Sequence, residues 1–172
     1  MEPNWLPPDG ITRRWLCIVL HHTASDFGSL RDIDRWHRHR GWKGCGYDFV
    51  IGNGTSSGDG QVEVGPRWIE QRDGAHTYLD RTNARRNGVS QGYYNKCGIG
   101  IVLVGNFNET RPSQQQMESL ARLVRFLMDV CHIPESQILT HGGVDQTQCP
   151  GRNFPLRQLR SMIKRPHVKE KP

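Results

Sequence analysis

Arg14-Trp-Leu-Cys-Ile-Val-Leu-His21 is the stretch from which the fold is read. Its unbroken core of Leu, Cys, Ile and Val ends abruptly at the pair His21-His22, which reads as a buried strand whose last residues carry chemistry. A second apolar run, Ile99 to Val104, reads the same way. Both are far shorter than the roughly 20 residues needed to cross a bilayer, so no membrane span is expected.

Working outward, Ser29 is a natural helix cap, Leu30, Ile33, Trp36 and His37 recur at helical spacing, and Gly41 is a natural stop. Residues 46–52 form a second strand, 54–60 a Gly/Ser turn, and 61–64 an alternating hairpin partner. The polar stretch 73–96 lacks apolar periodicity and reads as a long surface loop, a common carrier of function. Ser113 then caps a helix with Met117, Leu120, Val124 and Leu127 on one face. A short strand over 137–140 runs into His141, and a last helix covers about 156–164. No internal repeat is present. Strands and helices alternate without the regularity of a doubly wound fold, which predicts a single α/β domain: a central mixed β-sheet flanked by a few helices. Residues 1–13 are expected as an extended lead-in, 14–164 as the domain, and 165–172 as a basic, mobile tail.

The chain has 172 residues, enough for one core but cramped for two. Its formal net charge of +6 favours anionic polymers, whether nucleic acid, acidic lipid or cell wall. No helix-turn-helix, zinc-finger or aromatic stacking motif accompanies the basic residues, so nucleic acid is not the expected partner. The start lacks the basic, apolar and small-residue segments of a signal peptide, so the reading is synthesis in the cytoplasm and action elsewhere only after release or export. The number of cysteines is five, odd and scattered, which favours reduced thiols over a disulfide scaffold. A monomer is the default.

Three features put reactive side chains at strand ends: His21, Tyr47, and the segment from His141 to Cys149. Two histidines and a cysteine suit zinc, which accepts imidazole nitrogen and thiolate together and keeps a fourth position open in catalytic sites. The same residues also allow a cysteine hydrolase pairing Cys149 with His141. His22 should face away from His21, because successive strand residues point to opposite faces.

The order of motifs resembles one family. Ile-Val-Leu-His-His-Thr-Ala, Trp-His followed by Gly-Trp and Gly-Tyr-Asp-Phe-Val-Ile, Val-Glu-Val-Gly-Pro-Arg-Trp with Gly-Ala-His, Asn-Lys-Cys-Gly-Ile-Gly-Ile-Val-Leu-Val-Gly-Asn-Phe, and the closing His to Cys-Pro-Gly follow one another from about Leu16 to Leu156. This is similar to the zinc amidases that include T7-type phage lysozyme and animal peptidoglycan recognition proteins. The resemblance implies Zn2+ on His21, His141 and Cys149, a catalytic Tyr47, and peptidoglycan as partner. The reaction it implies is hydrolysis of the amide between N-acetylmuramic acid and L-alanine, as in an endolysin or a wall-remodelling enzyme. Thr147 falls where the phage enzyme has lysine and many recognition proteins have threonine, and it is expected to steady a developing oxyanion. His76 and Asn95 match positions facing the substrate cleft. Asp145 is read first as a turn aspartate, with a partner behind a metal ligand or a loop cap as the alternative, and His37, His39, His132 and His167 are read as solvated surface. The alternative to an enzyme is a recognition module that binds peptidoglycan without cutting it.

Overall fold

The computed structural model describes residues 4–164; the expected tail at 165–172 lies outside them. Its elements are β1 (Cys17–His22), α1 (Leu30–His39), β2 (Phe49–Ile51), β3 (Val62–Val64), α2 (Pro66–Ile69), α3 (Arg81–Arg86), α4 (Tyr93–Cys97), β4 (Gly98–Leu103), α5 (Gln114–Cys131), β5 (Ile138–Thr140), α6 (His141–Val144) and α7 (Leu156–Lys164). The five strands form one mixed sheet in the order β3-β2-β4-β1-β5. β1 runs parallel to β4 and β5, β2 runs parallel to β4, and the β2–β3 hairpin supplies the antiparallel edge.

Strand alternation sorts the side chains into two faces. Ile18 and Leu20 of β1, with Ile99, Ile101 and Leu103 of β4, pack under α5 and α7 against Leu120, Leu123, Val124, Leu127 and Leu159. Each such burial stabilises by about 1.5–3 kcal/mol. Cys17 and Val19 point the other way, towards Leu79, Tyr94 and Val144, while Val50 and Val102 meet Ile33 of α1. His21 shares the face of Cys17 and Val19. β4 is nearly bare on that face: a Cβ on Gly100 would meet the His76 ring at 2.5 Å, so glycine is required by close approach.

Ser29 caps α1 by accepting from Asp32 N, and Ser113 and Gln116 form a capping box on α5, as their spacing predicts. The stretch 73–96 differs from the expected loop: it folds α3 and α4. Their buried residues are Asn83, Ala84, Tyr94 and Cys97, too few and too polar to produce apolar periodicity. Observed β1 begins at Cys17 rather than Arg14, and β2 is only three residues long. The described part of the N-terminal lead-in is packed: Trp5 lies edge-on to Phe126 at 5.4 Å, and its carbonyl accepts from Trp68 Nε1 at 2.6 Å. All five cysteines are free thiols.

Asp48, between Tyr47 and β2, is fully buried. Its Oδ2 accepts from Gly100 N at 2.8 Å, and Oδ1 has no partner. Burial pushes the carboxyl up to about 7, against the opposing pull of the Gly100 amide and Arg67. The unfolded chain ionises this group near pH 4 and the folded chain only near 7, so it lowers stability as pH rises across that window. Asp48→Asn keeps an acceptor for Gly100 N and removes the charge. It is expected to raise the melting temperature at pH 8 by more than at pH 5; a lower melting temperature at pH 8 contradicts this.

Candidate metal centre and cleft

His21, the last but one residue of β1, lies on the face left bare by Gly98 and Gly100 and is fully buried. Its Nε2 lies 3.0 Å from His76 Nδ1, and His76 Nε2 lies 3.1 Å from the Gly98 carbonyl. A carbonyl only accepts, so His76 carries its proton on Nε2 and receives His21 Nε2–H on Nδ1. That chain leaves the lone pair of His21 Nδ1 free, 3.7 Å from Cys149 Sγ. Burial first, then His76, His141 and His22, hold the His21 pKa well below its ordinary value. Burial likewise lowers His76 to about 4. Both rings are therefore neutral, the form in which imidazole binds a metal.

Cys149 closes a loop that folds back on α6. Gly142 N donates to the Cys149 carbonyl at 2.7 Å, and the thiol accepts from His22 N at 3.3 Å. Burial pushes the thiol up to about 12. His141 opens α6 as β5 ends, with its ring centroid 4.7 Å from that of His21 and its Nε2 buried without a hydrogen-bond partner. Donor atoms of His21, His141 and Cys149 lie within 4.8 Å of one another, so the three can hold one metal ion.

Tyr47 stands beside this group, its ring 5.1 Å from His21 and 5.7 Å from His37. Burial first, then Cys149 and Cys45, raise its pKa above the ordinary tyrosine value, so the phenol keeps its proton at neutral pH. His22 faces away from His21, accepting from Phe107 N at 3.0 Å through Nδ1.

The tyrosine opens into a cleft of about 440 Å³ lined by Arg40, Trp42, Thr77, Tyr78 and His141, among others. A second hollow of about 640 Å³ lies along the Cys149 loop, next to Thr147, Gln148, Arg152 and Phe154. The metal-capable group thus has open space on two sides.

A protein family described as N-acetylmuramoyl-L-alanine amidase matches residues 12–152 by its sequence pattern, a span holding His21, Tyr47, His76, His141 and Cys149. This chain belongs to that amidase family. Among its relatives is peptidoglycan-recognition protein LB of Drosophila melanogaster, 29% identical over 143 residues; the match takes in 82% of this chain but only 53% of that protein's length. The endolysin of Enterobacteria phage K11 is 29% identical over 126 residues, covering 70% of this chain and 68% of the endolysin. The solved structure of N-acetylmuramoyl-L-alanine amidase LysC from Clostridium intestinale URNW superposes with a TM-score of 0.71 at 32% identity, over 95% of this chain and 94% of LysC.

Within this amidase-family site, His76 and Asn95 are the residues expected to face the substrate cleft. Both border the cleft, yet their polar atoms are engaged inside the protein. His76 has both ring nitrogens in the chain described above. Asn95 Oδ1 accepts from the backbone N–H of His76 and Thr77 at 2.9 and 3.0 Å, and its Nδ2 donates to the Thr77 carbonyl at 2.7 Å. Both hold the wall that supports His21. Thr147 is exposed, and its Oγ1 accepts from Cys149 N at 3.2 Å, which leaves its own proton free to donate. Asp145 is more than a turn residue: Oδ1 accepts from Asn83 Nδ2 at 2.9 Å, and Oδ2 lies 3.7 Å from His141 Nε2.

His37 is a buried residue, not a surface one: its Nδ1 accepts from Gly46 N at 2.9 Å and its ring lies 4.5 Å from Trp42. The signal was present, since His37 falls four residues after Ile33 on the buried face of α1. His39 and His132 are exposed, and His167 lies outside the described residues.

Proposed function

We propose that this chain is a zinc hydrolase that cuts the amide bond between N-acetylmuramic acid and the L-alanine of the peptidoglycan stem peptide, with residues 14–164 as its catalytic domain. The observation that carries the reading is the convergence of His21, His141 and Cys149, with His21 held in the metal-ready tautomer by His76. The residues fit the ion. Two neutral imidazoles and one thiol are a favoured zinc set, and a cation at Cys149 would offset the burial that otherwise keeps the thiol protonated.

Zinc in such a three-ligand set supplies Lewis-acid polarisation of a carbonyl and a hydrolytic nucleophile at neutral pH. Tyr47, protonated and adjacent, would hand its Oη proton to the departing L-alanine nitrogen as the C–N bond breaks and regain one from the newly formed carboxylic acid. Thr147 donates its free O–H to the amide oxygen as negative charge builds there, a weaker aid than an ammonium would give. His76 and Asn95 keep the His21 wall rigid. Arg40, and the exposed Arg81, Arg85 and Arg86 of α3, favour approach to wall polymers bearing carboxylates and phosphates. The protein then acts on the wall after release or export from the cytoplasm, as a monomer.

The test is product analysis by mass spectrometry of digested peptidoglycan. The expected products are glycan strands with intact muramic lactyl carboxylates and free stem peptides that begin with L-alanine. Wall binding with no such products would support the recognition-module reading instead.

A further inference from the structure

α3 lies outside the metal group, yet Asn83 within it and Asn87 capping its C-terminus reach the loop that carries that group. Asn83 and Asn87, four residues apart on one helix face, point at the segment 144–145. Asn87 Nδ2 donates to the Val144 carbonyl at 2.6 Å and to the Asn83 carbonyl at 3.0 Å. Asn83, only 3% exposed, donates from Nδ2 to Asp145 Oδ1 at 2.9 Å and leaves its own Oδ1 buried and unpartnered. The reverse amide orientation would set that oxygen against a carboxylate, so the donor assignment stands.

Asp145 Oδ1 also accepts from Gln146 N at 2.7 Å, while Oδ2 has no donor among the described residues. The group it faces is His141 Nε2, 3.7 Å away, itself buried and unpartnered. A buried, unpartnered ring nitrogen on a member of the metal-capable trio thus stands just beyond hydrogen-bond length of a carboxylate oxygen that accepts from no protein donor among the described residues. His141 and Asp145 sit at i and i+4 across the single turn of α6, so a small rotation of the ring closes the gap.

We propose that Asp145 is a positioning residue for His141, aimed by Asn83: it accepts the Nε2 proton and so presents the Nδ1 lone pair to the metal. The inference rests on the metal-centre reading above. It gives each histidine its own orienting partner, His76 for His21 and Asp145 for His141. It also makes α3, with its exposed Arg81 and Arg85, part of the structure that sets metal affinity.

Zinc affinity measured by chelator competition, together with ring-nitrogen NMR of His141, tests this. Asp145→Ala is expected to weaken zinc binding about 10- to 100-fold, the usual cost of removing a partner behind a metal ligand. Asn83→Ala should weaken it by a smaller factor. Asp145→Asn is the sharper variant. Its carboxamide oxygen keeps the Asn83 and Gln146 bonds and places an N–H donor against Nε2, which drives the ring proton to Nδ1. That variant should bind zinc no better than Asp145→Ala, and its metal-free His141 should show the proton on Nδ1, where the unaltered protein shows it on Nε2. Should Asp145→Ala fail to fold, Asp145→Asn carries the test alone. Cys149→Ser is the control. If it has lost zinc while Asp145→Asn binds within about threefold of the unaltered protein and keeps the proton on Nε2, the positioning role is wrong. If Cys149→Ser still binds zinc as tightly as the unaltered protein, the metal-centre reading fails instead, and this inference with it.

Discussion

Cys149→Ser is expected to leave a folded protein that has lost metal and hydrolysis together. The thiol accepts from His22 N at 3.3 Å, a bond a serine hydroxyl can take over, so the loop and its contact with β1 persist. What serine cannot supply at neutral pH is a thiolate. The site is reduced to two imidazoles, and zinc affinity should fall by more than about 100-fold, beyond what changes behind a ligand cost. Zinc content after dialysis, read beside circular dichroism and turnover, checks all three expectations. Retention of stoichiometric zinc and full turnover would remove Cys149 from the centre. A cysteine hydrolase would also lose turnover in this variant, but the unaltered protein would then keep working in the presence of a chelator.

Tyr47→Phe should separate chemistry from binding. The phenylalanine ring preserves the packing on His21 at 5.1 Å and on His37 at 5.7 Å, so only the hydroxyl disappears. Zinc affinity should stay unchanged while kcat falls about 10²- to 10⁴-fold, the usual contribution of a positioned acid or base. KM should change little, because the proton transfer matters most in the transition state. Turnover within about threefold of the unaltered enzyme would exclude Tyr47 as the proton donor, leaving another group to serve the leaving amine.

Much of the frame is written plainly in the chain. The apolar run through Leu20 and the run from Ile99 are paired at the centre of the sheet, and α5 and α7 lie near where their caps and periodicity place them. His21 is brought together with His141 and Cys149, more than a hundred residues further along the chain, as the motif order suggests. The residues behind them were harder to read. His76 reads as a cleft histidine and does border the cleft, but only the fold lays its ring on Gly100 and places it 3.0 Å from His21, a partner 55 residues away. The alternation Gly98-Ile-Gly-Ile carried a hint of this, since a strand bare on one face leaves room for something flat. α3 and α4 left almost no trace, because what anchors α3 is asparagine to the backbone and carboxylate of another loop, not an apolar stripe. Asp145 resembles any turn aspartate in sequence; only the placement of Asn83 and His141 around it shows two separate uses for its two oxygens.

The central claim is tested most directly by digesting purified peptidoglycan with the protein as isolated, after zinc chelation, and after zinc is restored, while counting new L-alanine amino termini. The account predicts release by the untreated protein, its loss on chelation, and its recovery with zinc. Tight binding to the wall with no new amino termini, or release indifferent to the chelator, would contradict it.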